Sequence, residues 1–251
     1  MGRLFGTDGV RGVANEKLSC ELAFKLGQAG AYVLTSSVHK ARILIGRDTR
    51  ISGDMLESAL VAGICSVGAE AVVAGVIPTS GVAFLTRDYG ADAGVVISAS
   101  HNSAEYNGIK FFNADGKKLP DEIEERIESI ILDGSETVQL KTGMQVGRRV
   151  GALNALAEYK EFLLGTTDTS LRGLKIVLDC AHGAASVVGP RAFQELGATV
   201  VPYYNTPDGT NINDNCGSTH PEKLTQLVTE LGADMGLAFD GDADRVIAVD
   251  E

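Results

Sequence analysis

The chain has 251 residues, of which 44% are hydrophobic, so it is long enough to bury one large core or two smaller ones. It carries 22 Lys and Arg against 33 Asp and Glu, and a net charge of −11 argues against a general nucleic-acid-binding protein. No apolar run is long enough to cross a membrane, the first residues lack a secretory signal pattern, and the four cysteines form no C-x-x-C pair. We therefore expect a cytoplasmic protein with no membrane partner, nucleic-acid partner, zinc site or disulfide framework.

In chain order, short β-branched runs alternate with segments of helical periodicity. The predicted strands are buried apolar runs at 43–45, 71–73, 94–97, 176–178, 199–201 and 236–239. The predicted helices follow segments that open or cap helices, namely Ser52-Gly53-Asp54, Pro120-Asp121 and Pro221-Glu222. Alternation of strand and helix predicts an α/β protein with mixed, mainly parallel sheets between helices.

Part of this pattern occurs twice. The segment at 90–94 and the apolar run after it recur at 232–236, and the segment at 68–73 recurs at 197–201. We therefore predict two similar three-layer α/β/α domains, residues 1–150 and 151–251, joined within 135–150. The alternative is a chance likeness between two strand–helix–strand segments.

Each copy of the repeat ends its last strand on a polar turn. The first turn is Ser98-Ala99-Ser100-His101-Asn102, and the second runs from Asp240 to Arg245. Ligands of open α/β sheets bind at the carboxyl ends of strands, so we expect the two turns to face one cleft.

Three carboxylates alternate in the second turn, at Asp240, Asp242 and Asp244. Oxygen ligands this close favour a hard cation, Mg²⁺ or Ca²⁺, and Mg²⁺ would take further ligands from water and a phosphate. An EF-hand is excluded because its sixth position must be Gly and is Arg245 here. The alternative is a solvated acidic turn.

The first turn places the hydroxyls of Ser98 and Ser100 beside the imidazole of His101. A serine hydroxyl becomes a nucleophile only with a base or a metal beside it, and such turns are common without any catalytic role. A hydrolase of the α/β-hydrolase type is disfavoured because no G-x-S-x-G motif is present.

Two further turns carry arginines. Arg11 lies in the Gly-rich turn Phe5–Gly12, which lacks the Walker A pattern, and it suits either contact with a phosphate or a plain surface turn. The turn Gly46-Arg47-Asp48-Thr49-Arg50 follows a predicted strand. An Arg–Asp pair that stabilises this turn is favoured over a contact with phosphate.

Together, these four segments, in this order, resemble the α-D-phosphohexomutase superfamily. The segments Tyr106–Phe112 and Gly217–Glu222 fit the same resemblance, which covers the whole chain and is strongest to the bacterial branch that acts on glucosamine phosphates. Members interconvert hexose 6-phosphates and 1-phosphates, so the resemblance implies an intramolecular phosphotransferase of the isomerase class.

The resemblance also implies roles for particular residues. Ser100 would be the phosphoserine that gives and takes the phosphoryl group. One Mg²⁺ per chain would be held by Asp240, Asp242, Asp244 and an oxygen of the phosphorylated Ser100. Arg11, Lys110 and His101 would surround the transferring group and take part in acid–base steps, and Arg245 would stabilise its charge. The implied partners are a hexosamine phosphate substrate, a hexose 1,6-bisphosphate as activator and intermediate, and a second copy of the chain bound through the first domain.

Two features depart from the family pattern. A Pro usually follows the position of Asn102, and Ser103 here predicts a less rigid turn. Family members also have a third domain with the sugar-recognition loop and a fourth with a phosphate-binding loop, and we expect this chain to correspond to the first two domains and to turn over substrate poorly. The alternatives are a phosphomannomutase or phosphoglucomutase fragment and a non-catalytic sugar-phosphate-binding module.

Overall fold

The computed structural model describes residues 3–35 and 40–250, and within them the strands form two separate sheets. The strands are β1 Val10–Val13, β2 Arg42–Arg47, β3 Glu70–Val76, β4 Ala93–Ile97, β5 Tyr106–Asn113, β6 Arg149–Gly151, β7 Lys175–Asp179, β8 Thr199–Tyr203, β9 Met235–Phe239 and β10 Val246–Val249. The α-helices are α1 Cys20–Leu34, α2 Ser52–Ser66, α3 Thr79–Asp88, α4 Asp121–Asp133, α5 Ala155–Leu164, α6 Ala185–Glu195 and α7 Glu222–Leu231. Among these residues, no helix is both long and apolar enough to cross a membrane.

The larger sheet has the strand order β1-β5-β4-β2-β3-β6. The strands β4, β2, β3 and β6 are parallel, whereas β5 and β1 run antiparallel to their neighbours. Side chains alternate along β2: Ile43 and Ile45 pack beneath α1, α2 and α4, while Leu44 packs beneath α3 and α5 on the other face. We call this sheet with α1 to α4 the first unit.

The smaller sheet has the order β10-β9-β7-β8 and is also mainly parallel. Val177 faces α7, whereas Ile176 and Leu178 face the opposite side, where Phe193 of α6 packs. We call this sheet with α6 and α7 the second unit. The predicted fold class, two α/β/α domains with mixed, mainly parallel sheets, is confirmed.

The internal repeat corresponds to one topology used twice, because β5-β4-β2-β3 and β10-β9-β7-β8 have the same order and directions. The carboxylate of Asp92 accepts from the backbone N–H of Arg42 at 2.8 Å, and Asp234 accepts from Lys175 at 2.7 Å in the same way. Each Asp also donates its own N–H to the carbonyl of the same partner residue. The repeated Gly-Ala-Asp segments therefore brace the start of an equivalent central strand.

Helix α5 lies between the two units. The ring of Phe162 stacks on Phe84 of α3 at a centroid distance of 3.9 Å, and Lys160 forms an ion pair with Glu195 of α6. The preceding strand β6 belongs to the first sheet. The domain boundary after residue 150 and the junction within 135–150 remain predictions.

All six predicted strands and the three predicted helices are present, but one helix start was assigned wrongly. Helix α2 begins at Ser52, directly after Ile51, and no side chain caps it, so Ser52-Gly53-Asp54 forms its first turn and not its cap. The Ser52 hydroxyl instead accepts a hydrogen bond from the Asn107 amide at 2.9 Å.

Candidate functional site

Ser100 lies in the turn after β4 and is 1% exposed. Its backbone is left-handed, with φ of +52°, a conformation that costs a non-glycine residue about 1–3 kcal/mol unless its surroundings impose it. Its Oγ donates a hydrogen bond of 2.6 Å to Oδ2 of Asp240 in the second unit. Nδ1 of His101 lies 3.4 Å from the Ser100 Oγ. The serine is therefore held in one geometry, beside both an acidic group and a base.

A buried ion pair supports this turn from below. Asp48 and Arg50 are both fully buried, with Oδ2 and Nε 2.9 Å apart. The Arg50 guanidinium donates to the carbonyls of Ser100 at 3.0 Å, Asn102 at 2.8 Å and Tyr106 at 3.0 Å, and also to that of Ser103. The expectation that an Arg–Asp pair braces a turn is confirmed, and the turn that it braces is the one that carries Ser100.

Ser98, the other candidate nucleophile, is hydrogen-bonded to the buried ion pair. Its Oγ donates to Asp48 Oδ2 at 2.5 Å and accepts from the backbone N–H of Ser100 at 2.9 Å. With its hydroxyl engaged in both bonds and 6% of its surface exposed, Ser98 is part of the support beneath the turn.

The acidic loop follows β9 in the second unit. One carboxylate oxygen from each of Asp240, Asp242 and Asp244 lies within 4.8 Å of the others. Gly241 allows the loop to approach the Ser100 turn, because a Cβ at Gly241 would lie 2.6 Å from the Ser100 carbonyl oxygen. The two polar turns thus meet, as the sequence predicted.

The three carboxylates fit a divalent cation. In the part of the chain that the structure describes, Asp242 Oδ1 is a buried side-chain oxygen with no hydrogen-bond partner. A buried carboxylate oxygen without a partner costs about 1–3 kcal/mol or more, and a cation removes this cost. Burial, and then the charge of Asp242, raise the pKa of Asp240 to about 6, and the same two causes raise the pKa of Asp244. Oxygen ligands of this kind suit Mg²⁺.

Cationic side chains face the acidic loop from the first unit. Lys110 of β5 and Arg11 of β1 both form ion pairs with Asp8, the former at 2.6 Å. Burial raises the pKa of Asp8, but the hydrogen bond and charge of Lys110 outweigh it, and the pKa lies below its ordinary value. Asp8 therefore holds both cations close together.

Burial lowers the pKa of His101, and the charges of Arg245 and Arg11 lower it further. The imidazole is therefore neutral near pH 7 and able to accept a proton. Arg245 itself is half exposed, with its Nε 3.8 Å from Asp244 Oδ1. The structure thus brings the sequence-predicted residues together. Ser100, His101, Arg11 and Lys110 come from the first unit, and the three aspartates with Arg245 come from the second.

Sequence reasoning did not single out three residues that organise the site. They are Asp8, which pairs with Arg11 and Lys110; Thr79, whose hydroxyl donates to Asp242 Oδ2 at 2.6 Å; and Asn213, whose amide donates to the carbonyls of Ser100 and Asn102 at 2.9 Å each. Asp8 lies within the Gly-rich turn Phe5–Gly12. No motif around Thr79 or Asn213 indicates a role in the site.

Two family models match the chain. The model described as "Phosphoglucomutase/phosphomannomutase, alpha/beta/alpha domain I" matches residues 2–138, and the corresponding model for domain II matches residues 154–251. The chain therefore belongs to the phosphoglucomutase/phosphomannomutase family.

Close relatives and a solved structure agree with this membership. The chain is 63% identical over 251 residues to the phosphoglucosamine mutase of Clostridium novyi and 64% identical over 252 residues to that of Acetivibrio thermocellus. Each match covers 100% of this chain and 56% of the relative. A phosphoglucomutase/phosphomannomutase family protein from Burkholderia thailandensis matches with a TM-score of 0.83 and 28% identity, over 98% of this chain and 54% of that one. The chain thus spans about half the length of the curated relatives that it matches.

Proposed function

We propose that this chain provides the phosphoserine and the metal site of a phosphoglucosamine mutase, which interconverts glucosamine 6-phosphate and glucosamine 1-phosphate. The observation that carries the proposal is the 2.6 Å hydrogen bond from Ser100 Oγ to Asp240 Oδ2, formed between two units that are built on separate sheets. It supports a nucleophile and a cation site in direct contact, which phosphoryl transfer requires.

The proposed reaction begins with a phosphoryl group on Ser100. The 1-hydroxyl of glucosamine 6-phosphate attacks phosphorus, the bond from phosphorus to Ser100 Oγ breaks, and glucosamine 1,6-bisphosphate forms. The proton of the attacking hydroxyl leaves to a base, and the serine oxygen regains a proton. The bisphosphate then turns around and returns its 6-phosphoryl group to Ser100, which leaves glucosamine 1-phosphate.

The neutral imidazole of His101, 3.4 Å from Ser100 Oγ, supports the role of acid and base in these steps. Arg11, Lys110 and Arg245 supply positive charge around the transferring group. Their ion pairs support this assignment, since Asp8 pairs with the first two and Asp244 of the acidic loop with the third.

The metal in this proposal is one Mg²⁺ held by Asp240, Asp242, Asp244 and a phosphoserine oxygen. A phosphoserine carries about −2, so together with three carboxylates the site would hold about −5. When bound, Mg²⁺ neutralises part of this charge and polarises the phosphoryl oxygens. The buried, unpartnered Asp242 Oδ1 supports its presence.

Glucosamine phosphate is proposed as the substrate because relatives that are 61–64% identical carry the name phosphoglucosamine mutase. The more distant family likeness leaves mannose and glucose phosphates as the rival substrates. A hexose 1,6-bisphosphate is proposed as the activator that first phosphorylates Ser100. Dimerisation through the first unit stays a prediction, which sedimentation of the purified chain would test.

A single-turnover experiment tests the function. Chain phosphorylated on Ser100 is mixed with Mg²⁺ and glucosamine 6-phosphate, mannose 6-phosphate or glucose 6-phosphate, and loss of the phosphoryl group is followed by intact-mass spectrometry. We expect slow loss from this chain that is nevertheless faster with glucosamine 6-phosphate than in buffer, together with formation of the bisphosphate. The same experiment on a chain extended to the full length of the curated relatives should give much faster loss. Loss at the buffer rate from both proteins would favour a non-catalytic binding module, and preference of the longer protein for another sugar would move the assignment to a phosphomannomutase or phosphoglucomutase.

A further inference from the structure

We propose that Thr79, at the start of α3 in the first unit, is a positioning residue that orients Asp242 for Mg²⁺ in the second unit. The inference rests on the metal site of the proposed function and adds a residue that neither the motifs nor the acidic cluster contains.

Two hydrogen bonds join Thr79 to Asp242. The Thr79 hydroxyl donates to Asp242 Oδ2 at 2.6 Å, and the Thr79 backbone N–H donates to the Asp242 carbonyl at 3.0 Å. Both residues are buried, with 7% of Thr79 and 2% of Asp242 exposed. The contact is therefore shielded from water, where a hydrogen bond to a charged group contributes most.

The hydroxyl bond selects which oxygen of Asp242 remains free. With Oδ2 engaged by Thr79, Oδ1 is the buried oxygen that lacks a partner in the described part of the chain. Asp240 differs, because its Oδ2 accepts from Ser100 and its Oδ1 accepts from the backbone N–H of Arg245 at 3.2 Å. The Thr79 hydroxyl thus fixes the rotation of the one carboxylate that presents a free buried oxygen to a cation.

The hydroxyl has no competing local task. Serine and threonine at helix starts commonly cap their own helix, but the residue before α3 is Pro78 and no side chain caps this helix. Thr79 instead directs both its hydroxyl and its backbone N–H out of the helix, toward the acidic loop. The amide end of α3, which carries partial positive charge, consequently faces that loop.

Partners that hydrogen-bond a metal-ligating carboxylate fix its orientation, and their loss costs about 10–100-fold in metal affinity. The test compares three variants with the parent chain by calorimetric Mg²⁺ titration. Thr79→Val removes the hydroxyl while keeping the branched shape and the backbone bond, and Thr79→Ser keeps the hydroxyl. Thr86→Val is the matched control, because Thr86 is buried in the same helix and its hydroxyl donates to the Val82 carbonyl at 2.7 Å, away from the acidic loop's carboxylates.

We expect Thr79→Val to bind Mg²⁺ about 10–100-fold more weakly than the parent, and Thr79→Ser and Thr86→Val to bind within about threefold of it. Thermal unfolding gives a second readout that needs no activity. Saturating Mg²⁺ should raise the unfolding temperature of the parent and of Thr79→Ser, and raise that of Thr79→Val less at the same concentration. A purely structural role would lower the unfolding temperature of Thr79→Val equally with and without Mg²⁺.

Equal Mg²⁺ affinity of the parent and Thr79→Val would overturn the proposal while leaving the metal site intact. A parent chain that binds no Mg²⁺ would overturn the metal site itself, and the inference with it. Thr79→Ala provides a second hydroxyl-free variant, with circular dichroism as the check on folding. If neither hydroxyl-free variant folds, Thr79 is a structural residue and the positioning role is wrong.

Discussion

Ser100 and Asp240 lie at equivalent places in two sheets of the same topology, Ser100 in the turn after β4 and Asp240 in the turn after β9. The Ser100 Oγ donates a 2.6 Å hydrogen bond to Asp240 Oδ2. The same topology thus carries a hydroxyl in the first unit and carboxylates in the second. Because the two turns come from different units, the site depends on contacts that hold the units together as much as on the groups themselves.

The first prediction concerns the buried pair beneath the Ser100 turn. Arg50→Met removes the counter-ion of the fully buried Asp48 and the guanidinium hydrogen bonds to four carbonyls, so we expect the free energy of unfolding to fall by about 3–5 kcal/mol. Arg126→Met is the control, since Arg126 pairs with Glu136 at 2.6 Å on the surface and its loss should cost about 1 kcal/mol or less. Urea unfolding measures both variants, and equal losses would show that the buried pair has no special role.

A second prediction concerns the amide that reaches the Ser100 turn from the second unit. Asn213→Gly keeps the left-handed backbone but removes both hydrogen bonds to the turn, so we expect a loss of about 1–3 kcal/mol of stability. Asn215→Gly serves as the matched control, because Asn215 is also left-handed but is exposed, and its amide donates to the neighbouring Asp214. If both variants lose the same stability in urea unfolding, the amide bonds do not contribute.

The metal assignment gives a third prediction. Asp242→Asn keeps the side-chain shape but removes one negative charge, and we expect Mg²⁺ affinity measured by calorimetry to fall at least about tenfold. Asp214→Asn changes the net charge equally at an exposed position outside the cluster and should leave the affinity unchanged. Undiminished Mg²⁺ binding by Asp242→Asn would remove this residue from the ligand set.

The fourth prediction concerns pH and the N-terminal segment. The Glu128 carboxylate accepts backbone N–H bonds from Arg3 at 2.9 Å, Leu4 at 2.7 Å and Phe5 at 2.6 Å. Burial raises the pKa of Glu128, but these three donors outweigh it and hold the pKa below 4.5. A carboxyl whose pKa is lowered by folding stabilises the protein above its unfolded pKa, and this contribution is lost as the pH falls through the folded value.

We therefore expect Glu128→Gln to be less stable than the parent by about 1–2 kcal/mol at pH 7, because the amide accepts fewer of the three bonds. The difference should shrink as the pH falls below about 4.5. Urea unfolding at pH 7, 5 and 4 measures it. A difference that grows toward low pH would contradict the assignment.

The sequence predicted the parallel strands at the centre of both sheets well, because short runs of β-branched residues are typical of buried strands. It did not predict α1, whose Gly27 lies where a Cβ would be 2.4 Å from the Leu60 carbonyl oxygen of α2. Glycine disfavours a helix locally and is used here for close packing of two helices, which a periodicity argument misses.

The candidate catalytic and metal-binding residues could be predicted because they lie in recognisable motifs. The residues that hydrogen-bond to them and fix their positions could not. Thr79 and Asp242 are 163 positions apart, and neither position signals the other. Ser103 in place of the usual Pro predicted a less rigid turn. In the structure the neighbouring carbonyls are held by Arg50 and Asn213, which are contacts that only the folded chain creates.

The central claim, that Ser100 carries the phosphoryl group, is tested most directly by intact-mass spectrometry with peptide mapping. The parent chain, Ser100→Ala and Ser98→Ala are each incubated with Mg²⁺ and glucosamine 1,6-bisphosphate. We expect that the parent and Ser98→Ala gain the mass of one phosphoryl group, that this group maps to Ser100, and that Ser100→Ala gains none. Phosphorylation that persists in Ser100→Ala and disappears in Ser98→Ala would contradict it.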